Sequence, residues 1–302
     1  MKKEAGNMAK RKPKRISITQ FTKKFGTETA CREYLAKVRW PEGFVCPECG
    51  SPKHCVLSNG LYQCNECHRQ TSVTAGTFMH RSHLKLTKWF LGLYLVTQDK
   101  RGISATQLAI NLGINYKAAW RMLTKIRAAM GQRDEQHLLD GVVEFDDAYI
   151  GGPSVGKKRG RGTEKAKVFV ALSTKNGCPQ YLKMGVTENI RKESVKAFAE
   201  KSIAAGATIQ TDACVSYIPA LKEYDHQHEK FSPDSGKLKW LHTMISNAKA
   251  FILGTYHGLP KKNLQAYLNE FCYRFSRRKF GADLFDRLAI AIVASPVAES
   301  KG

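Results

Sequence analysis

Acidic residues are scarce in this chain. Its 302 residues hold 26 Asp and Glu against 49 Lys and Arg, a formal net charge of +23. That imbalance disfavours a basic partner and favours a polyanion, because each neutralised phosphate releases counterions. A membrane surface would also attract such a charge. However, no apolar run approaches the ~20 residues of a spanning helix. The N-terminus also lacks the apolar core that follows the basic residues of a signal peptide. Neither a membrane span nor export is therefore expected. The apolar content of 42% is ordinary for a folded chain, and the length leaves room for two or three domains.

Nine cysteines are present, and four of them form two close pairs, Cys46-Pro-Glu-Cys49 and Cys64-Asn-Glu-Cys67, with 14 residues between the pairs. Two such knuckles can wrap four thiolates around one structural Zn2+, whereas a redox pair would not need duplicating. Metal rather than disulfides implies a reducing, cytoplasmic setting. His54 and Cys55 are surplus to a four-ligand site and read as loop residues. Tyr62, Val73 and Phe78 are candidates to pack the small sheet of a zinc ribbon, whose folding energy the metal would supply.

Residues 1–16 form a basic tail, either a solubilising extension or an arm that grips phosphates. Residues 17–80 read as an N-terminal helix over Ser17 to Trp40 followed by the ribbon. Residues 81–130 read as a helical, helix-turn-helix DNA-binding region. Its first helix spans 83–98, with Leu86, Trp89, Phe90, Leu93 and Tyr94 on one apolar face. In the second, Ser104 and Gln107 match a capping box, and Gly113 ends the helix. Asn115 caps the third, which buries Ala119, Trp120, Leu123 and Ile126 and presents Lys117, Arg121 and Lys125 as a basic stripe. Such a stripe suits a DNA groove flanked by phosphates; a plain helical hairpin with a solvated basic face is the alternative. Residues 131–141 read as a polar linker.

Residues 142–297 read as the catalytic domain. It opens with the strand Val142 to Gly152, in which Glu144 and Asp146 share a face and Asp147 points the other way. Carboxylates in an apolar strand are expensive unless a metal pairs with them, or unless the strand is an edge with a solvated acidic face. A basic loop follows, with Lys157, Lys158, Arg159 and Arg161 as phosphate contacts or as solvated residues. Strands at 166–173 and 179–186, a helix at 191–205 and a strand at 207–213 come next. Strand, strand, strand, helix, strand is the order of a ribonuclease-H-like fold, in which the first and fourth strands are neighbours. Asp146 and Asp212 would then meet, as two carboxylates that can hold Mg2+ ions for phosphoryl transfer. A third ligand is expected from a helix beginning near Asn247, 35 positions after Asp212, where a DDE triad has Glu. The Asn amide oxygen can ligate a hard cation without charge. Glu144 is the alternative third carboxylate, and His242 and Lys249 are nearby as a ligand or a phosphate contact. The expected class is thus multidomain α+β, with zinc ribbon and helix-turn-helix preceding an α/β ribonuclease-H-like domain.

Several segments together resemble the zinc-ribbon, DDE-type insertion-sequence transposases called ISXO-like. They are the four ribbon cysteines, Val143 to Gly152, Thr211-Asp212, His242, Ile245-Ser-Asn247, Leu253-Gly-Thr-Tyr-His257 and Tyr273-Arg-Phe-Ser-Arg-Arg278. The resemblance implies a ribonuclease-H-like catalytic domain, dependence on Mg2+ (with Mn2+ as a substitute), and terminal inverted repeats as substrate. It also implies hydrolysis at the element's ends followed by attack of the freed 3′-hydroxyls on target DNA. Asp146, Asp212 and Asn247 would be the catalytic metal ligands, in a dimer or larger assembly on DNA. An inactive remnant acting as a DNA-binding regulator would share every feature except the strand chemistry.

Overall fold

The computed structural model describes residues 16–152, 164–229 and 238–294. The basic tail and the loop carrying Lys157, Lys158, Arg159 and Arg161 lie outside the described residues.

The expected single N-terminal helix is two, α1 (Ile18–Phe25) and α2 (Glu28–Arg39). Thr27 breaks the run by capping α2, its hydroxyl accepting from the Ala30 N–H. Ser17 and Gln20 form a complete capping box on α1. Three short antiparallel strands follow, β1 (His54–Val56), β2 (Tyr62–Cys64) and β3 (Gln70–Thr71). His54 and Cys55 therefore lie on a strand rather than a loop, and the His54 ring stacks near Phe44 and Tyr62. Val73 and Phe78 do not pack this sheet. They join the helical core instead.

That core is built from α1, α2, α3 (Leu86–Gln98), α4 (Ala105–Leu112) and α5 (Tyr116–Glu135). Gly113 takes the left-handed cap conformation (φ 60°) between α4 and α5, and the Asn115 side chain accepts from Ala118 N–H at 2.8 Å. Only half of the expected capping box forms on α4. Ser104 accepts from Gln107 N–H, but the Gln107 amide turns to Asn111. Helix α5 continues to Glu135, past the expected start of the linker, and is the longest helix among the described residues. The C-terminal helix α10 (Leu284–Ala294) also belongs to this core. Phe285, Leu288 and Ile292 pack into it, and the Tyr34 hydroxyl donates to Asp286 at 2.5 Å. The last helix thus lies with the helical region, not with the sheet that precedes it.

Among the described residues the sheet has five strands: β4 (Val142–Ile150), β5 (Ala166–Lys175), β6 (Cys178–Thr187), β7 (Thr208–Asp212) and β8 (Asp225–Glu229). Their spatial order is β6-β5-β4-β7-β8. The first three pair antiparallel, while β7 is parallel to β4 and β8 is parallel to β7. The first and fourth strands of the unit are neighbours, as the order of elements leads one to expect. The fifth strand was not legible: Asp225-His-Gln-His-Glu229 has neither apolar alternation nor β-branched residues. A short polar strand of this kind suits an exposed sheet edge.

One face of the sheet is covered by α6 (Lys192–Ser202) and α7 (Tyr217–Ala220), around the buried rings of Phe145, Phe169 and Tyr217. Fully burying one such ring contributes about 1.5–3 kcal/mol. The other face is covered by α8 (Lys239–Thr255) and α9 (Leu264–Ser276). Helix α9 also closes the outer edge of β6. Gln265 bonds the Val186 N–H and the Met184 carbonyl, Ser276 accepts from Leu182 N–H, and Arg278 donates to the Pro179 and Gln180 carbonyls. A sheet edge left open would template pairing with another chain.

Helices α5 and α9 bind the two halves together. Arg127 and Glu270 form a buried pair at 2.8 Å, with side chains 3% and 1% exposed. The Arg127 guanidinium lies 3.8 Å from the Tyr267 ring centre, and Arg274 makes a second contact to Glu270 at 3.1 Å. Arg277 pairs with Asp134 at 2.5 Å. Arg274, Arg277 and Arg278, which in the sequence could be read as phosphate contacts, are therefore held by the protein itself.

Candidate catalytic and metal sites

The four ribbon cysteines converge. Their sulfurs lie within 4.8 Å of one another, with Cys46–Cys67 and Cys49–Cys64 each at 3.5 Å. A tetrahedron built on Zn–S bonds of ~2.3 Å has edges of about 3.8 Å, so the donor set fits the ion. The knuckles are copies of one turn. Cys46 and Cys64 donate N–H to the Ser51 and Arg69 carbonyls, and Gly50 and His68 donate back to the Cys46 and Cys64 carbonyls. Gly50 (φ 73°) and His68 (φ 58°) occupy the same left-handed position, where only the glycine is unstrained. Backbone N–H groups of Cys67 and Glu66 aimed at the Cys64 sulfur favour its thiolate and bring its pKa down to about 6.

Asp146 and Asp212 come together as expected. Val142 lies opposite Thr208 across the parallel pair, and each aspartate stands four residues further on, on the same face. Both side chains are half-buried. Burial pushes the Asp146 carboxyl up to about 7; the neighbouring Asp147 and Asp212 charges add to this, against a bond from the Asp147 N–H. A desolvated carboxylate beside a second one favours a cation between them. The Asp212 carboxylate accepts from Cys214 N–H at 3.2 Å, which fixes the turn after β7. Asp147 faces the other side, where the buried Tyr217 hydroxyl donates to it at 2.6 Å and anchors α7. Among the described residues, the four cysteines are the only group of three or more His, Cys, Asp or Glu donors that close together.

Glu144 has a partner within the fold. Its carboxylate accepts the Leu241 N–H at 2.9 Å, in the first turn of α8, whose own cap residue Leu238 supplies no side-chain bond. A helix start exposes unpaired N–H groups with partial positive charge, so a buried carboxylate suits it. Helix α8 begins at Lys239, eight residues before the expected start, which leaves Asn247 in its interior and exposed. The early start follows from Glu144, a partner distant in sequence. Lys249 and His242 are half-buried.

On α5, Lys117 and Arg121 are exposed as expected, but Lys125 is half-buried and donates to the His80 carbonyl at 2.8 Å. Trp120, expected on the apolar face, is 39% exposed. Together with Tyr116 it forms an i, i+4 aromatic pair beside the basic one, a pattern visible in the sequence once α5 is anchored at Asn115. No helix among the described residues is long and apolar enough to cross a membrane.

Two acidic side chains on neighbouring parallel strands, following a four-cysteine ribbon in the chain, define the class: a zinc-ribbon protein with a mixed α/β domain of the transposase type. Residues 138–276 match the ISXO2-like transposase domain and residues 26–70 the transposase zinc-ribbon domain, and the chain belongs to this family of insertion-sequence transposases. A protein of Halobacterium salinarum described as an uncharacterized protein in transposable element ISH50 is 26% identical, over 83% of this chain and 92% of its own length. Among solved structures, a simian T-cell lymphotropic virus intasome in complex with a PP2A regulatory subunit is similar at 15% identity and TM-score 0.30, over 60% of this chain and 64% of that one. A pre-cleavage Mos1 transpososome follows at 12% identity and TM-score 0.27, over 68% and 78%.

Proposed function

We propose that this protein is a DNA transposase that cleaves the ends of an insertion sequence and joins the freed 3′-hydroxyls to target DNA. The observation that carries the reading is the nearness of Asp146, in the middle of β4, to Asp212, at the end of β7, with Asp146 desolvated in a strongly basic chain. The strand order β6-β5-β4-β7-β8 supports a ribonuclease-H-like core, and the family domain supplies the reaction class.

In the first step water attacks a phosphodiester at the element's end; the P–O3′ bond breaks and the 3′ oxygen takes a proton. In the second, that 3′-hydroxyl attacks a target phosphodiester, forming a new P–O bond as the target's 3′ oxygen leaves. Divalent ions, Mg2+ or Mn2+, would supply positive charge and activate the attacking oxygen. Asp146 and Asp212 would hold them, and Lys249 would contribute positive charge beside the phosphate. Cys214 N–H keeps Asp212 turned to the site, and Glu144 keeps the start of α8 against β4.

Lys117 and Arg121, with Tyr116 and Trp120, support α5 as the DNA-reading helix of a helix-turn-helix. Its other end is fixed to α9 by Arg127 and Glu270, so DNA bound at one end stays in register with the carboxylates. The four thiolates hold Zn2+. Two ends must be joined together, which calls for at least two copies on DNA, acting in the cytoplasm. The test is cleavage and joining of DNA that flanks the protein's own gene: loss of both in Asp146→Ala supports the reading, and their survival refutes it.

A further inference from the structure

The segment between the ribbon and α3 carries a basic edge of its own. From Arg81 to Lys85 exposure alternates: Arg81, His83 and Lys85 face solvent, while Ser82 and Leu84 turn inward. The segment is pinned along its length. The Trp89 indole donates to the Ser82 hydroxyl at 2.8 Å, and Leu84 packs on the helical core. The Glu28 carboxylate accepts the Leu86 and Thr87 N–H groups, each at 2.9 Å, and so fixes the start of α3. Its course relative to α5 follows from two lysines. Lys125 donates to the His80 carbonyl, and Lys88 donates to the Leu112 carbonyl, where α4 turns toward α5. Residues 81–87 therefore pass alongside the first turns of α5, from the level of Lys125 back to that of Gly113. Lys117, Arg121 and Lys125 form one stripe at i, i+4 and i+8. The third member is taken up by the loop, and Arg81 stands directly after the carbonyl that receives it. Arg81 also sits where arginine is disfavoured. The Ser82 N–H closes a turn onto the Met79 carbonyl, and Arg81, third in that turn, has φ 54°. That position favours glycine, and a side chain held there against its backbone preference points to a function for the side chain. Neither Arg81 nor His83 makes a side-chain hydrogen bond or ion pair among the described residues.

We infer that Arg81, His83 and Lys85 form a second DNA-contacting edge, which grips backbone phosphates beside the groove read by α5. This rests on the proposed function, in which α5 is the DNA-reading helix. A helix in a groove has phosphates along both walls, and cations that flank the helix fix its register without reading sequence. The planar fork of Arg81 suits two phosphate oxygens, and Lys85 offers a point charge. His83, between them, can donate an imidazole N–H. The inner side of the same segment, Ser82 and Leu84, lines a cavity of about 210 Å3 together with Asn59, Gly60 and Leu61 of the ribbon turn. The edge thus bridges α5 and the ribbon.

The test measures binding of the zinc-loaded full chain to two labelled duplexes by fluorescence anisotropy across a range of salt. One duplex spans an end of the protein's own element, and the other has an unrelated sequence. Wild type, Arg81→Gly, Arg81→Lys, Lys85→Ala and Lys117→Ala are compared, with thermal unfolding as the check on folding. Arg81→Gly removes the side chain without harming the turn, because glycine adopts a positive φ freely. Arg81→Gly and Lys85→Ala should each lower the slope of log affinity against log salt by about one. Both should weaken the two duplexes alike, by about eightfold at ~0.1 M salt, the factor that one phosphate contact gives at a slope of ~0.9. Arg81→Lys should keep the wild-type slope, since it keeps the charge. A wild-type slope in either folded Arg81→Gly or folded Lys85→Ala, with the slope of Lys117→Ala lowered, would overturn the inference alone. So would a loss confined to the element's duplex, because phosphate contacts do not read sequence. A wild-type slope in Lys117→Ala would instead overturn α5 as the DNA-reading helix, and with it the groove beside which this edge lies.

Discussion

Replacing Glu270 with alanine should be among the most damaging single substitutions in this chain, although Glu270 lies away from the carboxylate pair. It is 1% exposed and holds Arg127 at 2.8 Å and Arg274 at 3.1 Å. Arg127 is itself 3% exposed, with its guanidinium against Tyr267 and Tyr256, so it cannot turn to water when its partner is lost. Breaking a buried pair from one side costs about 3–5 kcal/mol, against the 5–15 kcal/mol of a whole fold. At about 2–4 °C per kcal/mol for a unit of this size, the unfolding midpoint should fall by at least about 6 °C. Replacing both partners by methionine should recover most of the loss, since the desolvation of two charges disappears with them. Arg274 keeps Asp99 within electrostatic reach. Scanning calorimetry of wild type, Glu270→Ala and Arg127→Met/Glu270→Met decides the matter. A single substitution costing under about 1 kcal/mol would refute the idea that this pair joins α5 to the catalytic half.

Three further outcomes are expected. Cys64→Ser should release the zinc, measured by a chromogenic chelator, and open residues 40–71 to protease while the helical core stays protected, because the ribbon depends on metal for its folding. Lys117→Ala and Arg121→Ala should each weaken DNA binding and lower the slope of log affinity against log salt by about one, whereas Lys125→Ala should leave that slope unchanged because its amine is held by His80. Asp146 titrates in the fold near 7, raised from 3.8, so its contribution to stability is present at low pH and lost as pH rises across that interval. Without added divalent ions, Asp146→Asn should therefore be more stable than wild type at pH 8, by up to roughly 4 kcal/mol at 1.36 kcal/mol per unit. Urea unfolding at pH 5.5 and 8 measures this, and the gain should shrink at the lower pH.

What could be read in the sequence was whatever depends on near neighbours. The two cysteine knuckles set their own geometry through turns of a few residues, and the alternation in Val142 to Ile150 placed Asp146 and Asp147 on opposite faces. Gly113 and Asn115 marked the turn between α4 and α5 by local capping alone. The start of α8 was missed because Glu144, almost a hundred positions earlier, supplies its cap. Strand β8 was missed because its polar side chains show no apolar alternation, and the backbone and side-chain bonds that hold it to β7 appear only once the two strands are side by side. The partners of Arg274, Arg277 and Arg278 were not legible for a similar reason: a basic run reads as a phosphate contact or a solvated face until Glu270, Asp134 and the edge of β6 are brought beside it. The phase of α8 was not legible either. Moving the start of α8 from Asn247 to Lys239 puts Asn247 in the helix interior at an exposed position.

The most direct measurement is strand joining by the purified protein with Mn2+, using labelled DNA that spans the ends of its own element and a plasmid target. Wild type should give both nicked ends and joined products. Asp146→Ala and Asp212→Ala should bind those ends as tightly as wild type yet give neither product. Joined products from either variant, or end binding by wild type with no cleavage in Mn2+ or Mg2+, would contradict the assignment of phosphoryl transfer to this pair of aspartates.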